Sequence, residues 1–267
     1  MVKATIFVEA QANRPGVTTQ SLEKLIVDLR DSGDFITGDD ISDEEMERVE
    51  DKDVYTSFAE ISVDMPLRDF MKLCIRTTPS SLEIDDAESE ISSKEALYLI
   101  GDMCNVIGTC CTKMGVRIPL PQTQFGDEVQ DGPGMDEEEF EDLIDKGFIH
   151  FKFVARAAGE EDIVIRDTIR VINVFGGYVN KIKLEAEGEQ PEGKFSGLVA
   201  IEALIPSFET LFDLAVRFSP VAMAIEYPEV IKVSLFDLQN LAIMGSSLMT
   251  DITNYVTIKQ NKLDEKQ

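Results

Sequence analysis

Ala59-Glu60-Ile61-Ser62-Val63-Asp64-Met65-Pro66 opens one block of this chain, Phe70-Met71-Lys72-Leu73-Cys74-Ile75-Arg76-Thr77-Thr78-Pro79 continues it, and Leu82-Glu83-Ile84 closes it. A second block follows the same grammar: Ala200-Ile201-Glu202-Ala203-Leu204-Ile205-Pro206, then Leu211-Phe212-Asp213-Leu214-Ala215-Val216-Arg217-Phe218-Ser219-Pro220, then Met223-Ala224-Ile225. Leu73 aligns with Leu214, Arg76 with Arg217, Pro79 with Pro220 and Ile84 with Ile225 at constant spacing. Self-similarity of this kind marks a repeated structural unit. Each block reads as an alternating strand, a helix with apolar residues at i, i+3 and i+4, and a short strand. The helix stops before Pro79 or Pro220, because the residue preceding a proline is pushed out of the α region.

The repeat extends upstream. Strands are predicted from Thr5 to Ala12 and from Phe148 to Ala157, followed by helices over Thr18 to Arg30 and Ile165 to Phe175. Gly33 and Gly176-Gly177 are natural helix stops. A further strand runs from Tyr178 to Glu187; its counterpart, Phe35 to Thr37, is short and runs into an acidic insertion at Gly38 to Asp53. Ser42 with Glu45 reads there as a capping box, the start of a helix. Each half thus has the order βαββαβ, two split βαβ units forming one antiparallel sheet with both helices on one face. The expected fold class is α+β: two tandem ferredoxin-like domains, each followed by a long hydrophobic helix. Ser92 or Ser93 caps the first of these helices and Ser234 the second. Their apolar stripes are Leu97, Ile100, Cys104, Ile107 and Cys111, and Leu238, Leu241, Met244, Leu248 and Ile252. The expected boundaries are residues 1–115 for the first domain with its helix, 116–146 for an acidic, Pro- and Gly-bearing linker with a short helix, and 147–267 for the second domain with its helix.

The composition bounds the function. The 267 residues carry 51 Asp+Glu against 25 Lys+Arg, a net charge of −26. Such a chain repels phosphate backbones and anionic lipid, so neither nucleic acid nor a membrane is an expected partner. No apolar run is long enough to span a bilayer and no secretory leader is visible, which places the chain in the cytoplasm. Cys74, Cys104, Cys110 and Cys111 form no CxxC and lie in apolar helical patterns, as reduced core thiols do. A zinc or iron–sulfur spacing is absent, as are a P-loop and a convincing GxGxxG, so no metal or cofactor is expected. His150 is the one histidine, and its strand position favours a structural role over triad chemistry. No catalytic residue is assigned.

Two constellations remain as candidate sites. Asn13-Arg14-Pro15-Gly16-Val17 joins the first strand to the first helix. Proline fixes φ, glycine permits close backbone approach, and the helix N-terminus beyond offers free N–H groups to an anion. The segment resembles the "RPG-V" loop of the ACT family of small-molecule-sensing domains, which share the βαββαβ order; the resemblance covers this loop and that order. It implies a small metabolite, such as an amino acid, bound at the loop. The second half departs from the pattern, with Ala157-Ala158-Gly159-Glu160-Glu161-Asp162 in the corresponding place.

The second constellation is a charge asymmetry between sheets. Glu9 and Glu60 fall on one face of the first sheet, whereas Lys152, Arg156, Lys181 and Lys183 share a face of the second. Complementary faces of this kind suit docking between sheets or onto a partner; solvated faces are the plain alternative. Taken together, these features point to a non-catalytic accessory or regulatory protein that works by protein–protein assembly or self-association. An ACT-like metabolite sensor is the alternative. A further one is an enzyme using sheet-face carboxylates Glu9, Glu60 and Glu202, acid–base chemistry that requires the three to converge.

Overall fold

The computed structural model describes residues 1–33, 35–49, 52–116, 133–188 and 194–264, with side chains up to 256. The chain is α+β, and the βαββαβ order recurs in both halves. In the first half, β1 (Val2–Ala12), α1 (Val17–Asp31), β2 (Ile36–Ile41), β3 (Glu45–Val49), β4 (Lys52–Met65), α2 (Leu67–Thr77) and β5 (Ser81–Ala87) follow in turn. In the second, β7 (Ile149–Glu160), α5 (Glu161–Val174), β8 (Tyr178–Ala186), β9 (Lys194–Ile205), α6 (Phe208–Phe218) and β10 (Ala222–Tyr227) follow the same order without a counterpart of β3, which is a fifth strand of the first sheet. Between the halves lie β6 (Glu90–Ser92), α3 (Ser93–Met114) and α4 (Glu137–Asp145); β11 (Val230–Lys232) and α7 (Leu235–Asp264) complete the described chain.

The two main sheets have equivalent orders, β2-β4-β1-β5 and β10-β7-β9-β8, and every pairing in them is antiparallel. Two-residue alternation turns one face of each sheet to the core. Val2, Ala4, Ile6 and Val8 are buried on β1, with Ala59, Ile61, Val63 and Met65 on β4. Ile149, Phe151, Phe153 and Ala155 are their counterparts on β7, with Val199, Ile201, Ala203 and Ile205 on β9. The helices α2 and α6 bury Phe70, Leu73 and Cys74, or Phe208, Leu211 and Phe212.

The duplication extends to local backbone detail. Both α2 and α6 end on a non-glycine residue in the left-handed region, Thr78 and Ser219, each with φ 44°. The amides donate back to Cys74 and Ala215 carbonyls, and the proline that follows prevents further helix. Register shifts also match. One falls at Thr37 against β4 and at Asn180 against β9; the other falls at Asp85 against β1 and at Glu226 against β7. Such irregularities re-aim side chains and tend to be retained when a fold is copied.

The long helices distribute differently from the tandem order in sequence. By packing, the chain forms two compact units: residues 1–89, 105–116 and 233–267 make unit 1, while residues 90–104 and 117–232 make unit 2. Unit 1 therefore comprises the first sheet together with α7, the helix that follows the second sheet in sequence. Its α7 packs against α2 and β5, and the Ser246 hydroxyl donates to the Cys74 carbonyl at 3.0 Å. Unit 2 comprises the second sheet, the first part of α3 and a small ladder that sequence alone did not suggest, β6 paired antiparallel with β11. The expected serine caps are present. Ser92 Oγ accepts from the Glu95 amide and Ser234 Oγ from the Asp237 amide, each with a reciprocal side-chain bond.

Two local expectations change. Buried positions on α7 are Leu238, Leu241, Ala242, Gly245, Ser246, Met249 and Ile252, so small residues join the seam and Met244 and Leu248 lie at its margin. The Ser42–Glu45 pair starts no helix, because β2 and β3 both pair with β4 and take that backbone into the sheet; Ser42 Oγ accepts from the Phe58 amide instead. A complete capping box stands at α4, between Asp136 and Glu139. Of the expected 116–146 linker, residues 117–132 lie outside the described residues.

No helix among the described residues is long and apolar enough to cross a membrane. The assignment of α7 to unit 1 carries an expected outcome. Leu241 is fully buried, and Leu241→Ala costs about 2–5 kcal/mol. Hydrogen exchange of the variant shows faster exchange first in α2 and β5, with β7 and β9 still protected.

Candidate functional site

The helices of each βαββαβ unit cover one face of its sheet, and the candidate side chains stand on the other. On the second sheet, residues of β7, β8, β9 and β10 enclose an open hollow of about 360 Å3. Its floor includes Ala200, Ala222 and Ala224, and Lys152, Lys181 and Lys183 rise around it. The register explains the grouping: Lys152 stands opposite Glu202 on β9 and Ala224 on β10, while Lys183 stands opposite Ala200. Alanines leave a depression because their side chains end at Cβ, and the lysine stems form its walls while their ammonium groups reach water.

One end of the hollow holds a polar cluster. The shift at Asn180 lets two consecutive residues of β8 address one partner, Glu202. Asn180 Nδ2 donates to Glu202 Oε1 at 2.8 Å, and Lys181 Nζ lies 3.4 Å from each carboxylate oxygen. His150 Nε2 is 3.3 Å from Glu202 Oε1, within ion-pair distance. It is misaligned for a hydrogen bond and makes none to another described residue. The His150 ring meets Phe140 of α4 edge-on, with centroids 5.0 Å apart. Lys152 Nζ lies 3.5 Å from Glu226, the residue at the other register shift. Lys183 has no carboxylate partner among the described residues.

Of the residues singled out in the sequence, Lys152, Lys181 and Lys183 come together here. Arg156 lies farther along β7 on the same face, paired with Glu187 at 2.6 Å. On the first sheet, Glu60 is opposite Phe7, and Glu9 is opposite Phe58. Glu9 and Glu60 are exposed, and Glu9 accepts from Gln11 at 2.6 Å. Glu9 and Glu60 thus belong to unit 1 and Glu202 to unit 2, so neither unit gathers the three carboxylates. The small residues of the floor carry little signal in the sequence, although Ala222 and Ala224 alternate in it as an outward-facing pair does.

The loop from Asn13 to Val17 is filled from within. Asn13, Arg14, Pro15 and Val17 are exposed, and Gly16 takes φ 75°, a conformation that favours glycine. The Gly16 amide donates to both Glu44 carboxylate oxygens, at 3.0 and 2.8 Å. Thr18 Oγ1 donates to Glu44 as well and lies 2.9 Å from Ser57 Oγ. The bonds from Thr18 and then Gly16 hold the Glu44 carboxyl below the usual range. The anion expected at this helix N-terminus is therefore the chain's own carboxylate, carried in by the acidic insertion. A ligand carboxylate at this loop has to displace Glu44.

Among the described residues no His, Cys, Asp and Glu group has metal-site geometry. The four cysteines are free thiols, and burial pushes Cys74 and Cys104 up to about 12, far from reactive thiolates.

The His150–Glu202 pair gives a pH signature. Burial lowers the His150 pKa, more than Glu202 raises it. Burial pushes Glu202 up, but Asn180 and Lys181 outweigh it and leave the carboxyl below its ordinary range. An unfolded histidine takes up its proton near pH ~6.5, whereas the folded one does so only at lower pH. The unfolded state therefore binds more protons below that value, and stability falls as the solution is acidified. Glu202 acts in the same sense below pH ~4.3. Thermal unfolding between about pH 7 and about pH 5.5 is expected to show a shallower loss for His150→Gln than for the natural chain. Charge effects common to both chains cancel in this comparison.

The "Uncharacterized protein MJ0538" of Methanocaldococcus jannaschii is 23% identical over 265 residues, covering 97% of this chain and 100% of that protein. No solved structure gives a significant match. The similarity is not confined to one half or to the hollow, because a single family model spans both sheets and the long helices, matching residues 3–259. On that match, the chain belongs to the MJ0538 family.

Proposed function

We propose that this chain is a non-catalytic accessory or regulatory protein that acts by protein–protein assembly, through the outer face of its second sheet. The halves have the strand order of ferredoxin-like domains, a fold that hosts many functions and assigns none by itself. The observation that carries the reading is local. In a chain with 51 acidic and 25 basic residues, Lys152, Lys181 and Lys183 surround one alanine-floored hollow.

Charge and shape act together at such a surface. The chain's overall charge repels anions, while the lysines attract an acidic surface at short range, steering encounter and suppressing wrong partners. The alanine floor supplies apolar area that a projecting side chain of the partner covers. Glu202 is tied to Asn180 and Lys181. That arrangement fixes the rim and makes the carboxylate a poor general base at neutral pH, since a base works best with a pKa near the working pH.

Charge reversal tests the reading without touching the core, because Lys152 and Lys183 are exposed. The Lys152–Glu226 pair that is lost is exposed too and contributes little to folding. The double variant Lys152→Glu with Lys183→Glu is expected to keep its circular dichroism. It loses the acidic partner that the natural chain retains on affinity purification from the source cells. Identical recovery of partners by both chains contradicts the proposal.

A further inference from the structure

The outer faces of the two sheets occupy equivalent places in a duplicated fold, so their residues can be compared position by position. The registers pair Thr5 with Ser62 and Glu83 on the first sheet, and Lys152 with Glu202 and Ala224 on the second. Two steps along, Phe7 lies between Glu60 and Ser81, and Val154 lies between Ala200 and Ala222. Asp40 stands opposite Glu60, as Lys183 stands opposite Ala200. At the far end of the first strand, Glu9 in one half is Arg156 in the other.

The halves have therefore diverged in a complementary sense. Asp40 and Glu9 on the first face correspond to Lys183 and Arg156 on the second. Glu60 and Glu83 correspond to the alanines Ala200 and Ala224. The bulky residues divide the same way: Phe7 and Phe58 project from the acidic face, Phe58 at 41% exposure, while the basic face has a hollow floored by alanine. An aromatic projection rimmed by carboxylates and an alanine hollow rimmed by lysines match in shape and charge. The helices of each βαββαβ unit cover the opposite side and leave these faces open; on the second sheet α4 reaches only the end at His150.

We propose that the partner of the lysine-rimmed face is a second copy of this chain, presenting the acidic face of its first sheet with Phe58 entering the alanine hollow. The inference rests on the assembly reading given above and specifies the occupant of that surface. The contact is head-to-tail, since different surfaces meet; whether it closes into a ring or continues as a chain depends on the rotation it imposes. Its size is adequate. Four strands span about 19 Å, and the 12-residue strands β7 and β9 run about 40 Å. Because the edge strands β8 and β10 have only 9 and 6 residues, such a face is on the order of 600 Å2, at the lower end of the ~600–1,000 Å2 per partner of a standard interface. Because the chain carries a net charge of −26, the lysine face is where a second copy approaches with least repulsion.

Two single charge reversals test this by complementation. Lys183→Glu spoils the basic face and leaves the acidic one intact; Glu60→Lys does the reverse. Sedimentation is expected to show the natural chain gaining mass with concentration. Each variant stays monomeric by itself, and an equimolar mixture associates again. Phe58→Ser also abolishes the association, with no change of charge. A natural chain that remains monomeric at all concentrations overturns self-recognition, as do variants that associate like the natural chain or a mixture that stays monomeric. The assembly reading fails separately, when Lys152→Glu with Lys183→Glu recovers the same partners as the natural chain. A monomeric chain that retains a different acidic protein through those lysines overturns only the identity of the occupant.

Discussion

Two helices cannot cover both faces of a four-stranded antiparallel sheet. In each half of this chain the helices of the βαββαβ unit lie on one side, and the apolar alternation of the central strands follows them there. Val2, Ala4, Ile6 and Val8 on one sheet, and Ile149, Phe151, Phe153 and Ala155 on the other, are buried for this reason. The opposite positions were released from core packing and free to diverge. At those released positions the copies differ in charge and bulk, while their backbones agree in register and in the left-handed caps Thr78 and Ser219.

That agreement gives the lysine-rimmed hollow its meaning. Clustered lysines on an exposed sheet are an ordinary solvated surface when taken alone. In a chain with twice as many acids as bases, Lys183 and the neighbouring Arg156 stand where the other copy of the fold has Asp40 and Glu9, while Lys152 and Lys181 stand where it has Thr5 and Gly38. The shift at Asn180 adds order at one end by turning two neighbouring side chains toward Glu202, with His150 closing the cluster from β7. Burial of that cluster ties its stability to pH. At the first helix, the bonds from Gly16 and Thr18 to Glu44 show the same economy, since a surface insertion returns a carboxylate to a helix end that lacks one.

The repeat was legible from particular residues. Pro79 and Pro220 mark equivalent helix ends, the alternating runs before Pro66 and Pro206 mark the central strands, and Ser92 and Ser234 mark the caps. These signals act within a few residues, as capping and period-two burial do. The lysines and acids of the outer faces were legible too, because alternation alone sets the side of a sheet on which a residue lies. What was hidden depends on contacts distant in sequence. The stripe on α7 says that the helix is buried, not that α2 and β5 receive it. The three-residue strands β6 and β11 are too short to show a period. Ser42 and Glu45 have the spacing of a capping box, yet β4 supplies a sheet edge that outcompetes the helix. Glu44 is one acid among many until the fold sets it against Gly16.

The central claim is that the outer face of the second sheet is a protein-binding surface. Lysine acetylation followed by mass spectrometry tests it most directly, comparing the dilute chain with the assembled one. The account predicts that Lys152, Lys181 and Lys183 lose reactivity together on assembly, while Lys24 and Lys94 of the helices remain as reactive as before. Equal labelling of the three lysines in both states contradicts it.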